Sequence, residues 1–80
     1  MLKIRDEIPL KELEKFGFKY IPKQDAIYAH YMYEIKRKND IYPMLKCVVF
    51  CFDKHIKIYD GGDDKLFDLI QAGLVEKVEG

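Results

Sequence analysis

Eighty residues, 49% of them apolar and 14% aromatic, suffice for a single folded domain spanning 1–80 and exclude both a disordered chain and a second core, because a chain this size buries only roughly 60% of its unfolded surface. Fourteen basic and fourteen acidic side chains cancel and are interspersed, so no long-range field steers a polyanion toward the protein. The longest apolar run, residues 47–52, falls far short of the ~20 that a membrane helix needs, and the opening MLKIRDE lacks an apolar signal region, so the expected location is the cytoplasm, with no membrane partner.

Taken in chain order, the first element is a short helix over residues 9–16. Leu10, Leu13 and Phe16 recur every three residues with Lys and Glu between them. Pro9 suits a helix start, where the first amides have no internal partner, and Gly17 suits a left-handed C-terminal cap. After a link around residues 20–25, Ile27, Ala29, Tyr31, Tyr33 and Ile35 alternate with Tyr28, His30, Met32, Glu34 and Lys36. A period of two rich in tyrosine and isoleucine predicts a half-buried strand whose odd-numbered side is the more apolar.

Asn39, Asp40 and Pro43 mark the following connection. The next strand is apolar on both sides, with Val48, Phe50 and Phe52 on one and Leu45, Cys47, Val49 and Cys51 on the other, which predicts a central position. Asp53, Lys54 and His55 turn the chain into a third strand over residues 56–59. A three-residue loop pairs Phe52 with Ile56 and Phe50 with Ile58 and gathers the large apolar groups on one face. A two-residue loop puts His55 and Lys57 opposite those phenylalanines, so the three-residue loop is preferred.

A second helix follows the acidic turn DGGDD. At 100° per residue Leu66, Phe67, Leu69, Ile70 and Leu74 share an arc, with Lys65, Asp68 and Gln71 outside it. Asp63 or Asp64 is expected at the N-cap and Gly73 at the C-terminal end, with a brief extended tail over residues 74–78. The fold expected is therefore α+β, a three-stranded antiparallel meander with two helices in the order αβββα. If both helices cover the phenylalanine face, the face bearing Cys47, Val49 and Cys51 is left open and marks an interface. If they split between the faces, no partner is required.

Chemistry is constrained mostly by elimination. The chain has no serine and no threonine, and either cysteine would need a nearby base in an electropositive, partly open site to serve as a nucleophile. The acidic turn lacks the ligand spacing of a calcium loop. His30, Cys47, Cys51 and His55 do not follow the paired spacing of a zinc site, and no glycine-rich phosphate cradle is present. The expectation is a protein without catalysis, cofactor or metal. What remains is binding. Tyr28, His30, Met32 and Tyr31, with Tyr20 nearby, offer amphipathic contact area of the kind enriched at interfaces, and Lys36, Arg37 and Lys38 form a basic cluster beside them. Together they make the candidate interaction surface for a protein partner or for self-association. The alternative is a nucleic-acid-binding accessory factor using the same cations and tyrosines.

The ends of the chain carry a family likeness. KIRDEIPLKELEKFGF at residues 3–18 and KLFDLIQAGLVEKVE at residues 65–79 resemble small uncharacterised proteins encoded in phages and prophages of Gram-positive bacteria. The likeness spans about forty percent of the chain and rests on helix caps and apolar faces. It implies a phage-related accessory role and carries no site residues.

Overall fold

The computed structural model describes residues 1–78. Its elements are β1 (Leu2–Ile4), a 3-10 helix (Leu10–Phe16), β2 (Lys19–Ile21), a short 3-10 turn (Lys23–Asp25), β3 (His30–Ile35), β4 (Met44–Phe50), β5 (Ile56–Ile58), α1 (Asp63–Gln71) and β6 (Val75–Lys77). This overturns the expected three-stranded meander. Six strands form two antiparallel sheets, one ordered β2-β3-β4-β5 and the other pairing β1 with β6. The two sheets meet at β5, where Lys3 bridges to His55 and the Ile4 amide donates to the Lys54 carbonyl at 2.9 Å. The fourth strand of the larger sheet, β2, pairs Tyr20 with Tyr31, so β3 lies inside the sheet where a three-stranded arrangement would have left it at the edge.

The strict three-residue spacing of Leu10, Leu13 and Phe16 matches a 3-10 helix, whose side chains eclipse at i and i+3. That helix buries Leu13, and it closes at Gly17 with φ near 90°. At α1, Gly62 occupies the N-cap, while Asp63 and Asp64 lie in the first turn and neither caps through its side chain. The expected aspartate cap is thus replaced by an acidic first turn that complements the helix dipole. At the other end Gly73 N–H donates to the Ile70 carbonyl and Leu74 N–H to that of Leu69, the paired bonds that end a helix on a left-handed glycine.

The core consists of Ile4, Leu13, Phe18, Tyr31, Cys47, Val49 and Leu69, with Tyr33, Ile56, Ile58, Leu74 and Val75 packed against it. Helix α1 enters it through Leu69. Phe67 and Ile70, placed by the sequence arc on the inward side, are instead 57% and 47% exposed. Lys65 takes the inward position. Its ammonium donates to the Phe16 carbonyl at 2.9 Å and stands 4.2 Å from the centre of the Tyr33 ring, so its stem packs while its charge finds partners.

The hairpin between β4 and β5 departs from expectation in a way that decides which face of the sheet is covered. Cys47 pairs with Ile58, Val48 with Lys57 and Val49 with Ile56, leaving a four-residue loop over residues 51–54. The parity is opposite to that of the three-residue loop. Ile56 and Ile58 therefore join Cys47 and Val49 beneath α1 and the 3-10 helix, and the preferred three-residue loop, with Ile56 and Ile58 beside the phenylalanines, is overturned. The face carrying Phe50 is the open one.

Lys54 makes this loop possible. Among the described residues it is the one non-glycine with positive φ, 62°, and its ammonium reaches the carbonyls of Asp6 at 3.0 Å and Ile8 at 2.8 Å. One side chain thus ties the hairpin to the segment leaving β1. Asp53 secures the other side of the loop, accepting from the His55 amide at 2.9 Å.

Candidate interaction surface

The open face is assembled from alternate residues of four strands. Register places Ile21, His30 and Phe50 side by side, and in the next row Lys19, Met32, Val48 and Lys57. Val48 is buried between its neighbours. A shift in register at Tyr33 and Glu34 limits this pattern toward the far end of β3, because the extra residue on β4 there re-aims the side chains beyond it.

Beyond the strand ends, two loops extend the face with aromatic rings. Tyr28 precedes β3 and Phe52 follows β4, and their rings lie 5.1 Å apart. Phe52 in turn stands 5.7 Å from Phe50, which is 6.4 Å from His30. These tilted pairs fall within the range of favourable aromatic contact. His30 is oriented by its Nδ1, 2.8 Å from the Tyr28 carbonyl oxygen. The outermost members keep most of their surface in solvent, Phe52 at 66% and Tyr28 at 54%. Small domains seldom expose such a contiguous cluster without a use for it.

Phe52 forms a ridge between two hollows. One, of about 280 Å³, is lined by Lys23, Tyr28, Ala29, Cys51 and Phe52. The other, of about 360 Å³, is lined by Phe50, Phe52, Asp53, His55, Lys57 and the Met1 side chain, among others. Charge is distributed unevenly around them. The Asp53 carboxylate lies 2.6 Å from His55 Nδ1 and also holds the His55 amide, so it is committed to its own loop. The Lys57 ammonium sits 5.3 Å from the centre of the Tyr59 ring. Among the described residues neither Lys23 nor Lys57 forms an ion pair with a carboxylate.

The structure divides the surface expected from sequence. Tyr28, His30 and Met32 do lie together on the open face. Tyr31 does not, because it points into the core at 9% exposure with its ring 5.2 Å from Tyr20. Burial pushes its phenol above the ordinary value. Lys36, Arg37 and Lys38 are exposed, but they follow the opposite end of β3 from Tyr28, about 20 Å away along a strand of this length. Arg37 N–H donates to Asp40 Oδ2 at 2.9 Å within that turn, and its side chain lines a separate hollow with Ile35, Met44, Lys46 and Asp60. Phe50 and Phe52, the centre of the aromatic cluster, are grouped by the sequence pattern with Ile56 and Ile58 on one face, and the structure parts them. The cue was present in the parity of the following loop, which the apolar pattern alone could not resolve.

The thiols differ in access. Cys47 is fully buried, and burial pushes its thiol up to about 12, far from the thiolate that nucleophilic chemistry needs. Cys51 is half-buried at the wall of one hollow, and burial raises its thiol as well. Among the described residues no three His, Cys, Asp or Glu side chains converge in a way that could hold a metal ion, and no helix is long and apolar enough to cross a membrane. No protein-family model, curated protein or solved structure matches the chain.

Proposed function

We propose that this protein is a binding module that engages a protein partner through the open aromatic face centred on Phe52, with no catalytic step of its own. The observation that carries this reading is the train of exposed Tyr28, exposed Phe52 and half-buried Phe50 on a sheet face that neither helix covers. An inward-facing ring would be ordinary core. An outward one, with hollows on both sides, has the form of the aromatic anchors that dominate interface energetics. The phage-related accessory role and the cytoplasmic setting suggested by the sequence fit a small adaptor of this kind.

The same reading moves the binding surface away from the cations at 36–38. A nucleic-acid platform built on Tyr28 and the 36–38 cations needs phosphates held close to the stacked bases, and here that tyrosine and that cluster occupy opposite ends of one strand. The test is a peptide-display selection on the immobilised protein. Selected peptides should lose binding to a Phe52→Lys variant and keep it with Ile41→Lys, a substitution at a similarly exposed apolar residue outside the aromatic cluster. Selected peptides that ignore Phe52→Lys and lose binding to Ile41→Lys would move the site to the 36–44 loop.

A further inference from the structure

We infer that the aromatic face takes an acidic peptide segment with two apolar anchors, one for each hollow beside Phe52. This inference rests on the binding role proposed above and adds the chemistry of the partner. The two hollows share Phe52 as a wall, so a segment lying across the ridge places one apolar side chain on either side of it. Their sizes, about 280 and 360 Å³, leave room for a leucine-sized group in each.

The charge of the segment follows from what the rims leave unpaired. Lys23 borders one hollow and Lys57 the other, and Lys19 stands one row away on the same face. Among the described residues, the acids that could neutralise them are held by other partners or stand away from the hollows. Asp53 is held by His55. Glu76 lies toward Lys3, at 3.8 Å. Glu34 follows the register shift at the far end of β3. Asp25, two residues beyond Lys23, does not line the hollow. An apolar trough flanked by ammonium groups that no described carboxylate pairs with is complementary to a segment with carboxylates at its ends and apolar groups between.

A second copy of the chain fits the same trough poorly. Stacking two such faces brings the lysines of both copies around one apolar centre with no uncommitted acid among the described residues nearby to meet them, and like charges in that arrangement disfavour pairing. Nucleic acid fits poorly for a separate reason. The chain is neutral overall, whereas the affinity of a phosphate backbone comes chiefly from a strongly basic surface.

The test uses fluorescence anisotropy with three labelled, amidated decapeptides. The first is Asp-Glu-Leu-Leu-Glu-Glu-Leu-Leu-Glu-Asp. The second keeps the leucines and replaces every acid with lysine. The third keeps the acids and replaces every leucine with serine. A single-stranded oligothymidylate of ten nucleotides is the fourth probe. The acidic leucine peptide should bind at least ten-fold more tightly than each of the others, and Phe52→Ala should weaken it ten-fold or more. A Lys23→Glu, Lys57→Glu double variant should reverse the preference so that the basic leucine peptide binds better, an outcome that a purely structural role for these lysines would not produce. Equal binding of the acidic and basic leucine peptides, both dependent on Phe52, would overturn the charge inference and leave the binding reading intact. Tighter binding of the oligonucleotide, or a Phe52-dependent dimer in sedimentation with no peptide binding, would overturn it in favour of that occupant. Loss of all Phe52 dependence, with no dimer, would remove both readings.

Discussion

Two glycines bracket α1 for different physical reasons, and alanine at each separates them. Gly62 has an ordinary φ of −87°, so its backbone suits any residue. Its constraint is space, because a Cβ there would collide with the carbonyl oxygen of Lys46 on β4 and come within 3.0 Å of that of Tyr59. Those carbonyls are in use. The Lys46 oxygen accepts from the Tyr59 amide at 2.9 Å, and the Tyr59 oxygen accepts from the Gly62 amide at 2.9 Å. Relieving the clash means moving backbone by about 1 Å or more. That sacrifices two hydrogen bonds at about 1 kcal/mol each and loosens the seat of Leu69, for a total of about 3 kcal/mol or more. Gly73 presents the reverse case, with φ at +77° and nothing within 4 Å of an added Cβ. Alanine there costs only the left-handed backbone, about 1–2 kcal/mol. In a domain of this size 1 kcal/mol moves the thermal midpoint by roughly 4–8 °C. Circular dichroism melts should therefore show Gly62→Ala lowered by about 12 °C or more, or unfolded outright, and Gly73→Ala lowered less, by about 4–16 °C. A Gly62→Ala protein that melts within about 4 °C of the parent, or above Gly73→Ala, would refute the close approach of the α1 start to β4.

Three further outcomes check other parts of the structure. Leu69→Ala should cost about 2–5 kcal/mol in urea unfolding because it empties a fully buried site, while the neighbouring Ile70→Ala should cost under about 1 kcal/mol; equal costs would mean that α1 is rotated about its axis. Lys54→Met keeps the stem and removes the ammonium from the carbonyls of Asp6 and Ile8, so it should cost about 2 kcal/mol, as charged hydrogen bonds do; a Lys54→Met protein as stable as the parent would show that this tie carries no weight. Cys47 gives a pH test. Its folded thiol is raised from 9.0 to about 12, so its contribution to stability is complete below pH 9 and falls as pH climbs toward 12, because there the unfolded chain releases a proton that the folded chain keeps. Between pH 7 and pH 10 the parent should lose about 1.4 kcal/mol more than Cys47→Ala, and parallel pH curves would contradict the burial.

Much of the fold could be read locally, and the parts that could not share a physical cause. The alternation from Tyr28 to Lys36 and the doubly apolar run around Val48 identified β3 and β4, and the acidic turn before the helix with Gly73 after it identified α1, although its N-cap is Gly62 and not an aspartate. Strands β1 and β2 have three residues each, too few for a period of two to register. The partner of β1 is β6, more than seventy residues away, and such pairing has no local signature. The inward face of α1 was misjudged because Lys65 is polar by type yet buries its stem against Tyr33. At the site, Tyr28, His30 and Met32 were found because β3 alternates cleanly. Tyr31 was assigned to the same surface on residue type, although its odd-numbered position already placed it on the side that the pattern marked as apolar.

Phe50 and Phe52 escaped for a reason that bears on function. In β4 both faces are apolar, so hydrophobicity cannot choose a register, and the choice falls to the loop that follows. That loop is settled by polar details. The Lys54 backbone turns left-handed with its ammonium on the carbonyls of the segment after β1, and the Asp53 carboxylate holds the His55 amide. These interactions favour four residues over three, and one residue of parity decides whether Ile56 and Ile58 face the helices or the solvent. With four, the isoleucines complete the core beside Cys47 and Val49, and the surplus apolar surface of β4 has only the other face to occupy. The aromatic surface is thus a direct consequence of how the hairpin closes. A loop shortened by one residue would set the isoleucines against the core's geometry, so the same contacts that stabilise the hairpin also keep Phe50 and Phe52 presented for binding.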